Sequence, residues 1–99
     1  MTGPFLPGTL RGSVERLEWE KLVRGSRYRV SKDFLDADGG IHREGEEWRF
    51  IGSYFVPYDS ELSILVQLQD GMEWRIPLRW ENGAQLAMCE NIFEYLSPA

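Results

Sequence analysis

The sequence predicts a small all-β domain, specifically an SH3-like curled antiparallel barrel. Three observations lead to this fold class. Apolar residues fall on even-numbered positions in four stretches between residues 28 and 80, which is the period of a strand with one buried face. Turn-forming residues separate the stretches. The 99 residues, of which 42% are hydrophobic, suffice for one core and predict a single domain.

The two ends of the chain differ from this pattern. Residues 1–12 are rich in Gly and Pro and are predicted to form a flexible tail, so that the domain comprises residues 13–99. A short or broken helix is expected from Ser13, a candidate N-cap, to Gly25, a candidate stop. The C-terminal segment "AQLAMCENIFEYL" is expected to form one or two short helical turns that close the core.

Four strands are expected to share one inward face, because their apolar residues have the same parity. The first strand includes Arg27 to Phe34, and the last ends at Trp80. The inward residues are Tyr28, Val30 and Phe34, then Trp48, Phe50, Tyr54 and Val56, then Leu62, Ile64, Val66 and Leu68, and finally Met72, Trp74, Ile76, Leu78 and Trp80.

The same parity predicts how the last strands pair, because opposed residues in antiparallel strands lie on one side of the sheet. A three-residue loop, Gln69 to Gly71, pairs Leu68 with Met72 and places the glycine in the left-handed conformation. The preceding turn, "PYDSE", is expected to set Val56 opposite Leu62. The result is a three-stranded meander.

Two residues predict irregular points in these strands. Gly52 interrupts the inward face opposite Val66, and a glycine there indicates a bulge or sharp bend. Pro77 has no N–H to donate, so its strand is expected to be at an edge or bulged at that point.

The charge pattern argues against nucleic acid as the partner. The formal net charge is −5 and the pI is near 4.8, although Arg24, Arg27, Arg29 and Lys32 form a short local basic strip. The single cysteine, the absence of a secretory signal and the lack of a long apolar run predict a cytoplasmic protein that does not enter the membrane.

The stretch from Gly25 to Val66 resembles an uncharacterised bacterial domain family whose members carry a G-x-x-Y-x-V, F-x-D-x-D, H-x-x-G-E-x-W and P-Y pattern. In this chain the corresponding letters are "GSRYRV", "FLDAD", "HREGEEW" and "PY". The resemblance implies a shared architecture and no activity. Glu61 occupies a position that is often glycine in the family, which makes the conformation of the loop after the P-Y pair uncertain.

The stretch "FLDADGGIHREGEEWRF" contains the candidates for chemistry. Asp36, Asp38, His42 and Glu44 are a weak candidate metal site, but their spacing does not match a calcium loop, and a single histidine with one cysteine is too little for a typical zinc site. The favoured interpretation is a turn between strands with solvated carboxylates. No cofactor is predicted.

Catalysis is not expected. A nucleophile formed by Cys89 with His42 as its base is formally possible. Cys89, however, lies in the apolar segment "LAMCENIF", which indicates a buried, unreactive thiol. No phosphate-binding loop or nucleophile elbow is present.

The favoured function is a non-enzymatic module that recognises a protein or peptide, with self-association as one form. The odd-numbered face is predicted to carry an apolar cluster with an arginine rim, which is typical of interaction surfaces. The alternative is that Leu17, Trp19 and Leu22 fold over this face. The candidate binding residues are Ile51, Phe55, Leu65, Arg49, Arg75 and Arg79.

A second candidate surface is the set of loops formed by residues 34–47 and "VPYDSE". Tyr58, with Trp48 or Trp80, could line a groove there for an extended peptide. The runner-up function is a small-molecule or metal-binding domain that uses the segment Asp36 to Glu47.

Overall fold

The computed structural model describes residues 1–10, 21–56, 58, 60–81 and 83–99. Its described elements include eight strands, one α-helix and a 3₁₀ turn. The strands are β1 (Thr2–Phe5), β2 (Arg27–Val30), β3 (Phe34–Leu35), β4 (Ile41–His42), β5 (Glu47–Val56), β6 (Glu61–Gln67), β7 (Glu73–Arg79) and β8 (Leu96–Pro98). Helix α1 spans Gly83–Glu90, and the 3₁₀ turn spans Ile92–Glu94.

Six strands form one antiparallel sheet in the order β1-β7-β6-β5-β2-β8, and β3 and β4 form a separate two-stranded hairpin. The mainly β prediction is confirmed. The SH3-like barrel is not, because β1 and β8 end the sheet at opposite edges and do not pair with each other. Each edge is supplied by one end of the chain.

The N-terminal predictions need correction. Residues 2–5, expected to be part of a flexible tail, form strand β1 and pair with β7. The helix predicted from Ser13 to Gly25 lies mostly on residues 11–20, outside the described residues, and its described end, residues 21–25, is not helical. The backbone N–H of Gly25 donates instead to the carbonyl of Phe50, at 2.7 Å. The predicted C-terminal helical turns are present as α1 and the 3₁₀ turn.

The β6–β7 hairpin has the predicted register. Leu62 pairs with Leu78, Ile64 with Ile76, and Val66 with Trp74. The backbone N–H of Leu68 donates to Met72 across a three-residue loop, at 3.0 Å, and Gly71 has φ +84°. A side chain at a positive φ is strained, so glycine is the residue that this loop requires.

The register between β5 and β6 differs from the prediction. Phe50, not Gly52, pairs with Val66, and Gly52 pairs with Leu65, so Ile51 is an extra residue in a bulge. A bulge moves every later residue of the strand to the other side of the sheet. Phe55, not Val56, is therefore opposite Leu62.

The core lies on what we call the inner face of the sheet, the side toward which Trp48, Phe50 and Leu62 point. Their side chains, together with Val66 and Ile76, are completely buried. Helix α1 and the C-terminal segment contribute Met88, Cys89, Ile92 and Leu96 to the same cluster. The even-position prediction thus identifies the core correctly in β6 and β7, and in β5 as far as the bulge.

The opposite side, the outer face, is partly covered by the N-terminal residues. Leu65 is only 1% exposed there, and Leu10 is buried as well. Glu73 fixes this segment, because its carboxylate accepts the backbone N–H groups of Gly8 and Leu10, both at 2.8 Å. Among the described residues the covering segment thus lies within residues 1–10, while Leu17 and Trp19 of the predicted cover lie outside the described residues. Leu22, which was predicted to help cover this face, belongs to the core cluster instead.

Pro77 lies where the sequence predicts an edge. It pairs with Ser63 of β6, while the ladder between β7 and β1 extends only from Glu73 to Arg75. In the described part of the chain no strand pairs with the other side of Pro77, so its missing N–H costs the sheet no ladder hydrogen bond.

Candidate interaction sites

The predicted apolar cluster is divided between the two faces of the sheet. Leu65 is buried on the outer face. Phe55 is carried to the inner face by the bulge at Ile51, where its ring meets that of Trp80 edge to face at 5.6 Å. The cluster was predicted without an extra residue in β5, and one bulge is enough to separate its members.

The remaining residues of that predicted site are also dispersed. Ile51 and Arg49 line a cavity beside the N-terminal segment. Arg75 lies 3.5 Å from the carboxylate of Glu61, and exposed Arg79 lies at the end of β7. The six residues therefore do not form one surface.

The segment "FLDADGGIHREGEEWRF" contains the predicted turn, but not all of its carboxylates are solvated. The β3–β4 hairpin pairs Phe34 with His42 and Leu35 with Ile41. Its tip is closed by a hydrogen bond from the N–H of Asp36 to the carbonyl of Gly40, at 2.9 Å. The two pairs point to opposite sides of the hairpin, because side chains alternate along a strand.

The inner side of the hairpin holds a buried charged network around His42. The ring Nε2 is 2.7 Å from a carboxylate oxygen of Asp36, and Nδ1 is 2.6 Å from one of Glu46. Phe34 stacks on the imidazole at 4.6 Å between ring centroids. His42 and Asp36 are 1% and 2% exposed. A protonated imidazolium donates to both carboxylates and fits this arrangement.

Asp36 has further partners. The N-terminal amine of Met1 donates to one oxygen at 2.6 Å, and the backbone N–H groups of Asp38 and Gly40 donate to the other at 2.9 Å each. Glu46 also accepts the indole N–H of Trp48 at 3.1 Å. The carboxylates are thus held by several donors, as buried charges must be.

The pKa values of the two buried groups shift in directions that favour their charged forms. Burial alone lowers the pKa of His42, but the hydrogen bonds and charges of Glu46 and Asp36 outweigh it, and the pKa is raised above its usual 6.5. Burial alone raises the pKa of Asp36, but the Met1 amine, His42 and the Gly40 N–H outweigh it, and the pKa is lowered below 3.8. Both shifts favour the ion pair between the imidazolium and the carboxylates.

The geometry does not favour the weak metal alternative. Asp36 and His42 do meet, but Glu44 is exposed, and its backbone N–H donates to Asp33 at 2.7 Å. Asp38 is exposed and faces the N-terminal amine at 3.5 Å. Both nitrogens of His42 already contact carboxylates, and the described residues include no group of three side chains arranged to hold a metal ion.

Cys89 and His42 do not have the properties of a nucleophile and its base. Cys89 is completely buried, and burial raises the pKa of its thiol to about 11. A thiol with this pKa is protonated at neutral pH and is a poor nucleophile. His42 has no ring nitrogen left to accept a proton from it.

The outer side of the hairpin has the opposite character. Leu35 and Ile41 are 54% and 53% exposed, although both are aliphatic. They stand at one wall of a cavity of about 550 Å³, which we call the hairpin groove. Its other lining residues are Lys32, Asp33, Phe34, Arg43, Ala84, Gln85, Met88 and Tyr95.

The hairpin groove is fixed by contacts on both walls. The side-chain amide of Gln85 in α1 donates to the carbonyl of Leu35 at 3.2 Å, which ties the helix to the hairpin. The ring of Tyr95 meets Phe34 edge to face at 6.3 Å. Lys32 lies 4.9 Å above the Tyr95 ring, and Arg43 is 3.3 Å from Asp33.

This groove overlaps only part of the loop surface predicted to bind a peptide. The segment 34–43 does form one wall, but α1 forms the other, in place of the "VPYDSE" turn. Trp48 is completely buried, Trp80 packs on Phe55, and Tyr58 is 98% exposed. The pairing of Leu35 with Ile41 was missed, although two aliphatic residues flanking "DADGG" are a hairpin signal.

Comparisons with known proteins concern the fold. An integron cassette protein from the mobile metagenome of Vibrio cholerae has a solved structure that superposes on this one with a TM-score of 0.81 and 29% sequence identity. The match covers 93% of this chain and 100% of the other. Neither a protein-family model nor a curated protein matches the sequence.

The structural similarity supports a small, mainly β architecture for this chain. A shared fold does not by itself transfer an activity. Membership of the bacterial family that the sequence resembles stays a prediction. Among the described residues there is no helix with the length and apolar character needed to cross a membrane.

Proposed function

We propose that this domain is a non-enzymatic interaction module that binds a short segment of a partner protein in the hairpin groove. The observation that carries the proposal is the pair of half-exposed aliphatic side chains, Leu35 and Ile41, at the rim of an apolar cavity. The exposed apolar surface of these two side chains does not stabilise the fold. Burying it against a partner would favour association by about 25 cal/mol per Å².

The size of the groove favours a peptide over a second copy of the chain. A stable dimer buries roughly 800 Å² per partner, which is more than a few groove side chains supply. The chain also carries a net charge of −5, so two copies repel each other. A short extended segment needs only one or two pockets for its side chains.

The rim favours a peptide with a carboxylate next to its apolar residue. Arg43 and Asp33 neutralise each other at 3.3 Å. The ammonium group of Lys32 adds a positive charge above Tyr95. The groove therefore combines apolar walls with one unbalanced positive charge among its described lining residues, and an acidic side chain of the partner would complement it.

We also propose that the domain is not an enzyme and that it is located in the cytoplasm. The raised thiol pKa of Cys89 and the double engagement of His42 support a non-enzymatic role. Burial of the single cysteine is compatible with a reducing compartment.

The proposal is tested by selecting binders from a random peptide library and measuring the affinity of the selected peptides by fluorescence anisotropy. We expect peptides with an aliphatic or aromatic residue beside Asp or Glu. Leu35→Asp should weaken their binding at least about 10-fold, because it places a charge against an apolar side chain. Lys32→Gln should weaken it by a smaller factor.

Leu6→Asp is the matched control, since Leu6 is 69% exposed and does not line the groove. It should leave the affinity unchanged. Selected peptides that bind Leu35→Asp and Leu6→Asp equally well would refute the proposal, as would a library that yields no binder. A concentration-dependent dimer that Leu35→Asp dissolves would assign the groove to a second copy instead.

A further inference from the structure

A row of polar side chains crosses the outer face through four neighbouring strands. Arg27 of β2 is directly opposite Arg49 of β5, Arg49 is opposite Gln67 of β6, and Gln67 is opposite Glu73 of β7. Residues paired in this way point to the same side of the sheet. The row therefore brings two guanidinium groups together at one end.

Like charges placed directly opposite each other destabilise a sheet. The next cross-strand pair shows the usual solution, because Arg29 is opposite Glu47 and lies 3.5 Å from its carboxylate. In the described part of the chain, neither Arg27 nor Arg49 forms an ion pair or a side-chain hydrogen bond. The charge of this pair is thus not balanced by a described carboxylate.

The one carboxylate in the row is already engaged elsewhere. Both oxygens of Glu73 accept backbone N–H groups, from Gly8 and Leu10, and its side chain is buried. These two amide donors hold the carboxylate toward the N-terminal segment. Glu73 therefore shapes the site, and no ion pair among the described residues joins it to Arg49.

A cavity of about 820 Å³ opens beside this row. Arg49 and Gln67 line it together with Arg24, Ile51 and Glu73, and Pro7, Gly8 and Gly25 complete the described lining. Its volume is in the range of small-molecule sites, roughly 300–1,000 Å³. None of its lining residues belongs to the hairpin groove.

We propose that this cavity is a binding site for a small oxyanion-bearing ligand, held through its carboxylate or phosphate group by Arg49, with the charge of Arg27 on the neighbouring strand beside it. Guanidinium groups present paired N–H donors that match such anions. Gln67 offers a further polar contact, and Ile51 offers an apolar one. The site is separate from the peptide groove and does not depend on the function proposed there.

The experiment is a titration of the ¹⁵N-labelled full chain with inorganic pyrophosphate and, separately, with citrate, at about 150 mM salt so that exposed charges are screened. We expect saturable shifts centred on the amides of Gly25, Arg49, Ile51 and Gln67. The anion that binds more tightly identifies the chemical class. Arg49→Gln should weaken the binding of that anion at least about 10-fold, since it removes one charged fork.

Arg29→Gln is the control, because Arg29 lies on the same strand and face as Arg27 but already has a carboxylate partner. It should change the affinity less than about twofold.

A second variant, Arg49→Glu, should abolish binding. It should also raise the unfolding temperature in the absence of ligand, since the new carboxylate would pair with Arg27. Equal effects of Arg29→Gln and Arg49→Gln, absence of saturation, or a lower unfolding temperature for Arg49→Glu would each overturn the proposal.

Discussion

The two sides of the β3–β4 hairpin are chemically opposite. The inner side presents a histidine that is 1% exposed and bonded to two carboxylates, whereas the outer side presents two aliphatic residues that are more than half exposed. In most surface hairpins the buried side is apolar and the exposed side is polar. Here an ion-pair network holds the hairpin in place, and Leu35 and Ile41 stay exposed, where the proposed partner would contact them.

This reversal explains how so short a hairpin stays ordered. Two residue pairs bury too little apolar surface to be stable alone. His42, Asp36 and Glu46 supply specific contacts in place of that surface, and Gln85 adds one from α1. Stability and the proposed binding therefore involve different sides of the same element, which mutations can separate.

The largest effect is expected for His42→Leu, which removes the centre of the inner network. The carboxylate of Asp36 would lose one of its charged partners inside the protein, and breaking a buried ion pair typically costs about 3–5 kcal/mol. Urea unfolding should show a decrease of this size in the free energy of unfolding. The control is Arg43→Ala, which removes an exposed ion pair and should cost less than about 1 kcal/mol.

A loss for His42→Leu no greater than that of the control would contradict the assignment. It would mean that the hairpin depends on contacts other than the imidazolium, and the distinction between the two sides would then have no energetic basis.

A second, smaller effect is a pH dependence with a defined sign. The pKa of His42 is raised in the folded state, so its contribution is complete below about pH 6.5 and is lost as the pH rises through the higher folded value. The pKa of Asp36 is lowered, so its contribution is complete above about pH 4 and is lost as the pH falls through the lower folded value.

The wild-type protein should therefore be most stable between these limits, as measured by urea unfolding from pH 3 to pH 9. The difference between wild type and His42→Leu should shrink above pH 6.5. A difference that stays constant up to pH 9 would show that His42 does not contribute as a cation.

The pattern of alternating residues predicts the sheet well because it depends on local geometry alone. The parity identifies Trp48, Phe50, Ile64 and Ile76 as core, and with Gly71 it fixes the β6–β7 register. The same reasoning fails in the part of β5 that follows Ile51. A glycine can indicate a bulge or a bend, but the local sequence does not show whether the extra residue comes before or after the glycine.

The sites were less predictable because they depend on contacts between distant residues. The "DADGG" segment predicts a turn, but not that His42 bonds Glu46 rather than Glu44, since that choice depends on how the strand after the hairpin leaves the turn. Strand β1 was missed because two of its four residues are Gly and Pro, which are poor strand formers. Its place in the sheet comes from pairing with β7, more than sixty residues away.

The smallest effect on stability is expected on the outer side of the hairpin, and it completes the comparison. Leu35→Ala removes a side chain that is 54% exposed and should change the free energy of unfolding by less than about 0.5 kcal/mol. Leu62→Ala, the same change at a completely buried position, should cost about 2–5 kcal/mol. If Leu35→Ala approached the cost of Leu62→Ala in urea unfolding, Leu35 would be part of the fold's own packing, and its exposure would no longer point to a partner.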